Sequence, residues 1–258
     1  MELWRLIWVE RMSGILNTLA DHPGGLSLGE LCARNQIPKG TMHRILQDLA
    51  KHQFVRQDPE TGKYALGSAV LRLAQRYLNG LDLRNLCKPV LEQISREYRL
   101  ASFLTVWQEN GAVCVETCQA NNGGVRYFVE VGKTLPLHAS AAGKLLLAHR
   151  PLEERSLRIS QLEMQPFTGA TKQSIQQLRE ELDRIAQQGY AVCEEELEPG
   201  VSALSVPIIS PDERIESCLS VVGPSSIIAG DQKLHLITVL QQAVDRVRTI
   251  WKGEEAHG

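Results

Sequence analysis

Up to about residue 98 the apolar positions recur every three to four residues, the rhythm of helices. Beyond Leu100 they alternate or run together as in strands. From Leu6 to Ala20 the pattern favours a helix, which His22-Pro23-Gly24-Gly25 stops. Ser27 followed by Glu30 is a capping box opening a short helix, LGELCARN. Gln36-Ile37-Pro38 reads as a turn, with Pro38 in the first turn of a helix that runs to about His52. Met42, Ile45, Leu46 and Leu49 form its apolar stripe, and Lys39, Gly40, Thr41, His43, Arg44 and Gln47 take the rest of the cylinder. Phe54-Val55 and Tyr64-Ala65-Leu66 flank the turn-rich tip Asp58-Pro59-Glu60-Thr61-Gly62 and predict a hairpin. Ala69, Val70, Leu73, Ala74, Tyr77 and Leu78 predict a connecting helix ended by Gly80, and a second helix spans Leu83 to Tyr98.

The β-type part begins with ASFLTVWQ and AVCVETCQ, joined across Glu109-Asn110-Gly111, an Asn-Gly hairpin signal. VRYFVEVG predicts another strand, and YAVCEEE, ALSVPIIS and RIESCLSVVG three more. Between and after them SAAGKLLLAH reads as a helix start rich in small residues, SIQQLREELDRIAQQG as an amphipathic helix, and Gln232 to Trp251 as a closing helix. The fold class is α+β, divided into residues 1–67, a connecting helix over 68–81, and a second domain over 82–258.

Composition narrows the partners. With 258 residues, 43% hydrophobic and 22% charged, the chain can bury two cores, and its net charge of −2 means that any polyanion-binding patch is local. Residues 34–63 hold six basic against three acidic side chains, net +3. Arg5, Glu10 and Arg11 interrupt the apolar start, so no secretory signal is expected, and no window is apolar enough for a membrane span. A cytoplasmic location, no membrane partner and free thiols at Cys32, Cys87, Cys114, Cys118, Cys193 and Cys218 are expected.

Two helices with a tight turn, followed by a hairpin, have the geometry of a winged helix-turn-helix, whose second helix enters a major groove about 12 Å wide. Lys39 and Arg44 could reach guanine edges or phosphates, with Gly40, Thr41, His43 and Gln47 beside them. Arg56 and Lys63 on the hairpin would sit near backbone phosphates. A basic helix face is often merely solvated; the ordered set of cap, proline turn, helix and basic hairpin favours double-stranded DNA.

VERMSGILNTLADHPGGLSLGELCARNQIPKGTMHRILQDLAKHQFVRQDPETGKYALG resembles the amino-terminal domain of the IclR family of bacterial transcriptional regulators. LPLHASAAGKLLLA and GYAVCEEELEPGVSALSVPI resemble two signature stretches of its effector-binding domain. The resemblance implies a winged helix-turn-helix, a linker helix and a GAF-like α/β effector-binding domain. It also implies a homodimer or dimer of dimers on palindromic operator DNA, released or recruited by a small-molecule effector, with no cofactor.

By the same resemblance the effector lies against Ser140, Ala141, Ala142 and Gly143, where free N–H groups and the helix dipole attract a carboxylate. Small residues there could equally serve tight packing. Where relatives that sense small oxo-acids carry an aspartate, this chain has Cys193. Their cysteine ten residues on is Ala203, and of two serines on the last strand Ser220 remains while the other is Val222. The loss of polar groups points to an organic acid with an apolar or aromatic body. An alternative is a metal-responsive regulator. Cys114 and Cys118 would share a strand face, as would Cys218 and Ser220, and with Cys193 and His138 they could hold a soft metal, although no Cys-x-x-Cys spacing occurs. An enzyme is the third possibility, with Glu194, Glu195 and Glu196 as acid/base groups and Cys193 as nucleophile. Neighbouring carboxylates would raise the thiol's pKa, the wrong direction for activation, so these glutamates read as a strand end and loop.

Overall fold

The computed structural model describes residues 2–79, 82–109, 111–119, 129–210 and 212–255. The chain divides into two compact units, Met1–Gly80 and Leu81–Gly258.

In the first unit α1 (Glu2–Ala20), α2 (Leu28–Asn35) and α3 (Lys39–Lys51) surround one core, and β1 (Val55–Gln57) pairs antiparallel with β2 (Tyr64–Leu66). Ile15 and Leu19 of α1, Leu31 of α2 and Met42, Ile45, Leu46 and Leu49 of α3 are buried together with Val55 and Tyr64. The stripe read in the sequence is therefore the inward side of α3. The capping box at Ser27 forms as expected: its hydroxyl accepts from the Glu30 N–H, and the Glu30 carboxylate accepts from the Ser27 N–H at 2.8 Å. Pro38 is the N-cap of α3 rather than a first-turn residue, with Lys39 the first helical position. Leu26 and Tyr64 exchange backbone hydrogen bonds of 2.9 and 2.7 Å, tying the wing to the segment before α2. α4 (Ser68–Asn79) completes the unit.

The second unit is an antiparallel sheet of order β5-β4-β3-β8-β7-β6. Its strands are β3 (Ala101–Gln108), β4 (Gly111–Cys118), β5 (Thr134–Leu135), β6 (Ala191–Glu194), β7 (Val201–Ile209) and β8 (Ile215–Pro224). α5 (Asp82–Tyr98) and α9 (Gly230–Glu255) pack on one face, and α6 (Ala141–Ala148) with α8 (Ile175–Gln188) covers the other. α7 (Leu152–Gln161) and the two-residue β5 are elements the sequence pattern does not announce. The expected strand at 125–132 lies partly outside the described residues. Its described part, Val129–Gly132, is a loop and turn in which Gly132 has φ +88°, and Lys133 N–H bonds back to the Glu130 carbonyl.

One register detail corrects the sequence reading. Leu104 pairs with Glu116 but the next residue, Thr105, pairs with Cys114, so Val115 is an extra residue in β4. This bulge resets the alternation of faces. Cys114 joins the α6 side, whereas Cys118, opposite Ser102, falls on the α5 side, where Ser102 hydrogen-bonds the Leu91 carbonyl. The two cysteines do not share a face.

Candidate nucleic-acid interface and effector site

On α3, Lys39, Gly40, His43, Arg44 and Gln47 are exposed and Thr41 is half-buried, opposite the buried stripe. Among the described residues the side chains of Lys39, His43, Arg44 and Gln47 make no hydrogen bond or ion pair. The helix thus presents one row of uncompensated donors. Arg56 and Lys63 are exposed on the hairpin, whose tip is built by Asp58. Its carboxylate accepts from the Thr61 N–H at 2.8 Å, the Thr61 hydroxyl and the Glu60 N–H, and the Thr61 N–H in particular holds the Asp58 pKa below the usual range. The tip between the two cations is therefore hydrogen-bonded to itself.

In the second unit every residue of α6 is buried. Ser140 caps it: the hydroxyl accepts from the Gly143 N–H at 3.0 Å and donates to the Pro136 carbonyl at 2.7 Å. A Cβ on Gly143 would stand 2.6 Å from the Pro136 oxygen and 2.9 Å from Leu137 Cα, so close backbone approach already requires glycine there. The N–H groups of Ala141 and Ala142 remain without partners among the described residues.

Three adjacent strands bring the other expected positions together. Cys193 pairs with Ala203 and Ala203 with Val222, making one continuous row across β6, β7 and β8 beneath α6. Two residues along on the same face, Ser220 pairs with Ser205, and their hydroxyls are joined at 2.7 Å. The hydroxyl of Ser220 is thus occupied, and the Cys193–Ala203–Val222 row is apolar. Burial pushes the Cys193 thiol up. The Lys144 charge and the backbone N–H groups of Glu196 and Leu197, which hydrogen-bond the sulfur, pull the other way, while the Glu196 charge adds to the rise.

Sequence reasoning missed the most heavily charged cluster of the unit. Lys144, on α6, has no exposed surface; it bonds Glu181 of α8 at 2.8 Å and makes a close ion pair with Glu196. Lys172 bonds the same two carboxylates at 2.9 and 3.1 Å. Burial alone would lower the Lys172 pKa; Glu181 and Glu196 outweigh it and leave it raised. The only hint in the sequence is a lysine inside an otherwise apolar helix. The acidic run divides: Glu194 pairs with Lys233, Glu195 accepts from the Gly200 N–H, and Glu196 enters the cluster. Each of the three carboxylates thus holds a partner within the fold.

The metal reading finds no arrangement to rest on: among the described residues no three His, Cys, Asp or Glu side chains are grouped to hold an ion. Burial pushes the thiols of Cys114 and Cys218 up to about 12 and that of Cys118 to about 11. Cys218 does approach Ser220, at 3.9 Å, and His138 is engaged with the Gln165 carbonyl at 2.9 Å. No helix among the described residues is long and apolar enough to cross a membrane.

Residues 9–59 match the IclR helix-turn-helix domain and residues 75–249 the C-terminal domain of bacterial IclR transcriptional regulators. The chain is 29% identical to the HTH-type transcriptional regulator KipR of Bacillus subtilis over 91% of this chain and 93% of that protein. An IclR transcriptional regulator of Alicyclobacillus acidocaldarius has the same fold, with a TM-score of 0.82 and 23% identity over 95% of this chain and 98% of that one. So does an IclR homologue of Microbacterium hydrocarbonoxydans complexed with 4-hydroxybenzoate, with a TM-score of 0.82 and 24% identity over 95% and 99%. With both of its units matched and in the same order, the chain belongs to the IclR family: it is a DNA-binding transcriptional regulator with an effector-binding domain, not an enzyme.

Proposed function

We propose that this regulator senses an organic acid with an apolar or aromatic body. The observation that carries the reading is the apolar row Cys193–Ala203–Val222 lying beneath a helix whose first two N–H groups have no partner among the described residues. The carboxylate meets Ala141 and Ala142, aided by the helix dipole, and the body packs on the row. The complex of the Microbacterium homologue with 4-hydroxybenzoate supports the same ligand class. Ser140 and Gly143 act behind the ligand, shaping the helix start, and Ser220 braces the sheet through Ser205.

On the DNA side, Lys39, Gly40, Thr41, His43, Arg44 and Gln47 read the major groove while Arg56 and Lys63 hold phosphates. Residues 68–81 link two domains of a cytoplasmic homodimer or dimer of dimers on a near-palindromic operator. The test is a thermal-shift screen of carboxylic acids, 4-hydroxybenzoate and pyruvate among them, followed by DNA binding with each hit. Aromatic monoacids are expected to raise the melting temperature, by the equivalent of about 2.7 kcal/mol at a hundredfold excess over Kd, and to change operator affinity. A response confined to small oxo-acids or to a divalent metal overturns the reading.

A further inference from the structure

The buried charges beside α6 form a closed ring in which Lys144 and Lys172 each bridge both Glu181 and Glu196. Its formal charge is zero. Lys144 directly follows Gly143, and Glu196 belongs to the turn whose N–H groups reach the Cys193 sulfur. Lys144 stands two residues after Ala142 on the same helix, and the Lys144 and Glu196 charges act on Cys193, at one end of the apolar row. An uncompensated ammonium at that depth would be the dominant local charge, because the interior screens poorly.

We propose that the ring sets the charge selectivity of the effector pocket: by cancelling Lys144 it leaves the helix start, among the described residues, to attract an anion, so the pocket takes monocarboxylates and excludes dicarboxylates. This rests on the organic-acid reading above. A helix N-terminus is equivalent to about half a unit charge, enough for one carboxylate. A second carboxylate would be desolvated against Cys193, Ala203 and Val222 without a partner. Glu196 and Lys172 are thus positioning residues of opposite sign, acting on the ligand through the net charge around Lys144. Lys172 keeps 26% of its side chain exposed and borders an outer cleft of about 410 Å³, so its charge can be removed with little disturbance of the core.

The test measures benzoate and terephthalate binding to the full chain by titration calorimetry, with each variant's own unliganded melting temperature as its reference. The wild type is expected to bind benzoate at least tenfold more tightly than terephthalate. Glu196→Gln leaves the ring at +1 and should raise the terephthalate-to-benzoate affinity ratio at least tenfold. Lys172→Met leaves it at −1 and should weaken benzoate by a similar factor. A scaffold role alone would weaken both acids in both variants and hold the ratio constant, which would overturn the inference even if Glu196→Gln folds poorly, since Lys172→Met carries the opposite arm. A wild type that binds the two acids equally overturns the charge selectivity alone, whereas one that binds neither overturns the organic-acid reading with it.

Discussion

Helices α3 and α6 both carry a lysine near the start, and the two lysines live in opposite worlds. On α3 four residues are buried and the polar side is open, with Lys39 exposed and its side chain unpaired among the described residues. On α6 all eight residues are buried, and Lys144 is enclosed by two carboxylates. A surface that meets a polyanion keeps its cations free, because water screens them cheaply until DNA arrives. A site inside a core must neutralise its charges beforehand, since an unpaired buried ion costs several kcal/mol. The difference separates what mutations should do in each unit: stability effects in the second, binding effects without stability loss in the first.

The largest effect should come from Lys144→Met, which leaves Glu181 and Glu196 to share the single cation Lys172 and should lower the unfolding free energy of the second unit by about 3–5 kcal/mol in a urea titration. A loss below about 1 kcal/mol would break the comparison. Next, Gly143→Ala forces a methyl group against the Pro136 carbonyl and should cost about 1–3 kcal/mol by the same measurement. Arg44→Ala should leave stability within about 0.5 kcal/mol but weaken specific operator binding by about 1–3 kcal/mol, as read by fluorescence anisotropy. Unchanged binding would remove Arg44 from the reading face. Smallest is Gly40→Ala on α3, where an added Cβ meets nothing within 4 Å; helix propensity should make it stabilising by about 0.5–1 kcal/mol. A loss on the scale of Gly143→Ala would mean that the outer side of α3 is not open.

The same contrast explains what could be read from the chain alone. On α3 a buried stripe alternates with an open side, so periodicity points at both the core and the proposed interface. The Ser27–Glu30 cap is equally local, and α2 begins where that box places it. α6 has no polar side, so periodicity says nothing about which of its residues meet the sheet, and Lys144 looks like any charged residue until α8 and the 195–200 turn fold around it. α7 escaped because it buries only Ile159 and leaves Leu152 and Leu157 exposed, which erases the stripe. The proposed effector positions come from the family resemblance; that Cys193, Ala203 and Val222 form one unbroken row is a matter of strand register, which a chain with alternative pairings leaves open.

The extra residue at Val115 gives β4 a change of phase partway along its length. Ala112 and Cys114 face the core under α6, but beyond the bulge it is Thr117 that shares their face, opposite Phe103, while Glu116 turns to the other side and pairs with Arg84 at 2.8 Å. Arg84 also donates to the Val115 carbonyl at 3.2 Å, so α5 holds the irregularity in place. A saturation library across this strand would accordingly show the positions that reject polar residues under α6 switching from even to odd numbers at Val115, and deleting that single codon would straighten the strand while leaving Cys114 opposite Thr105 and Glu116 opposite Leu104.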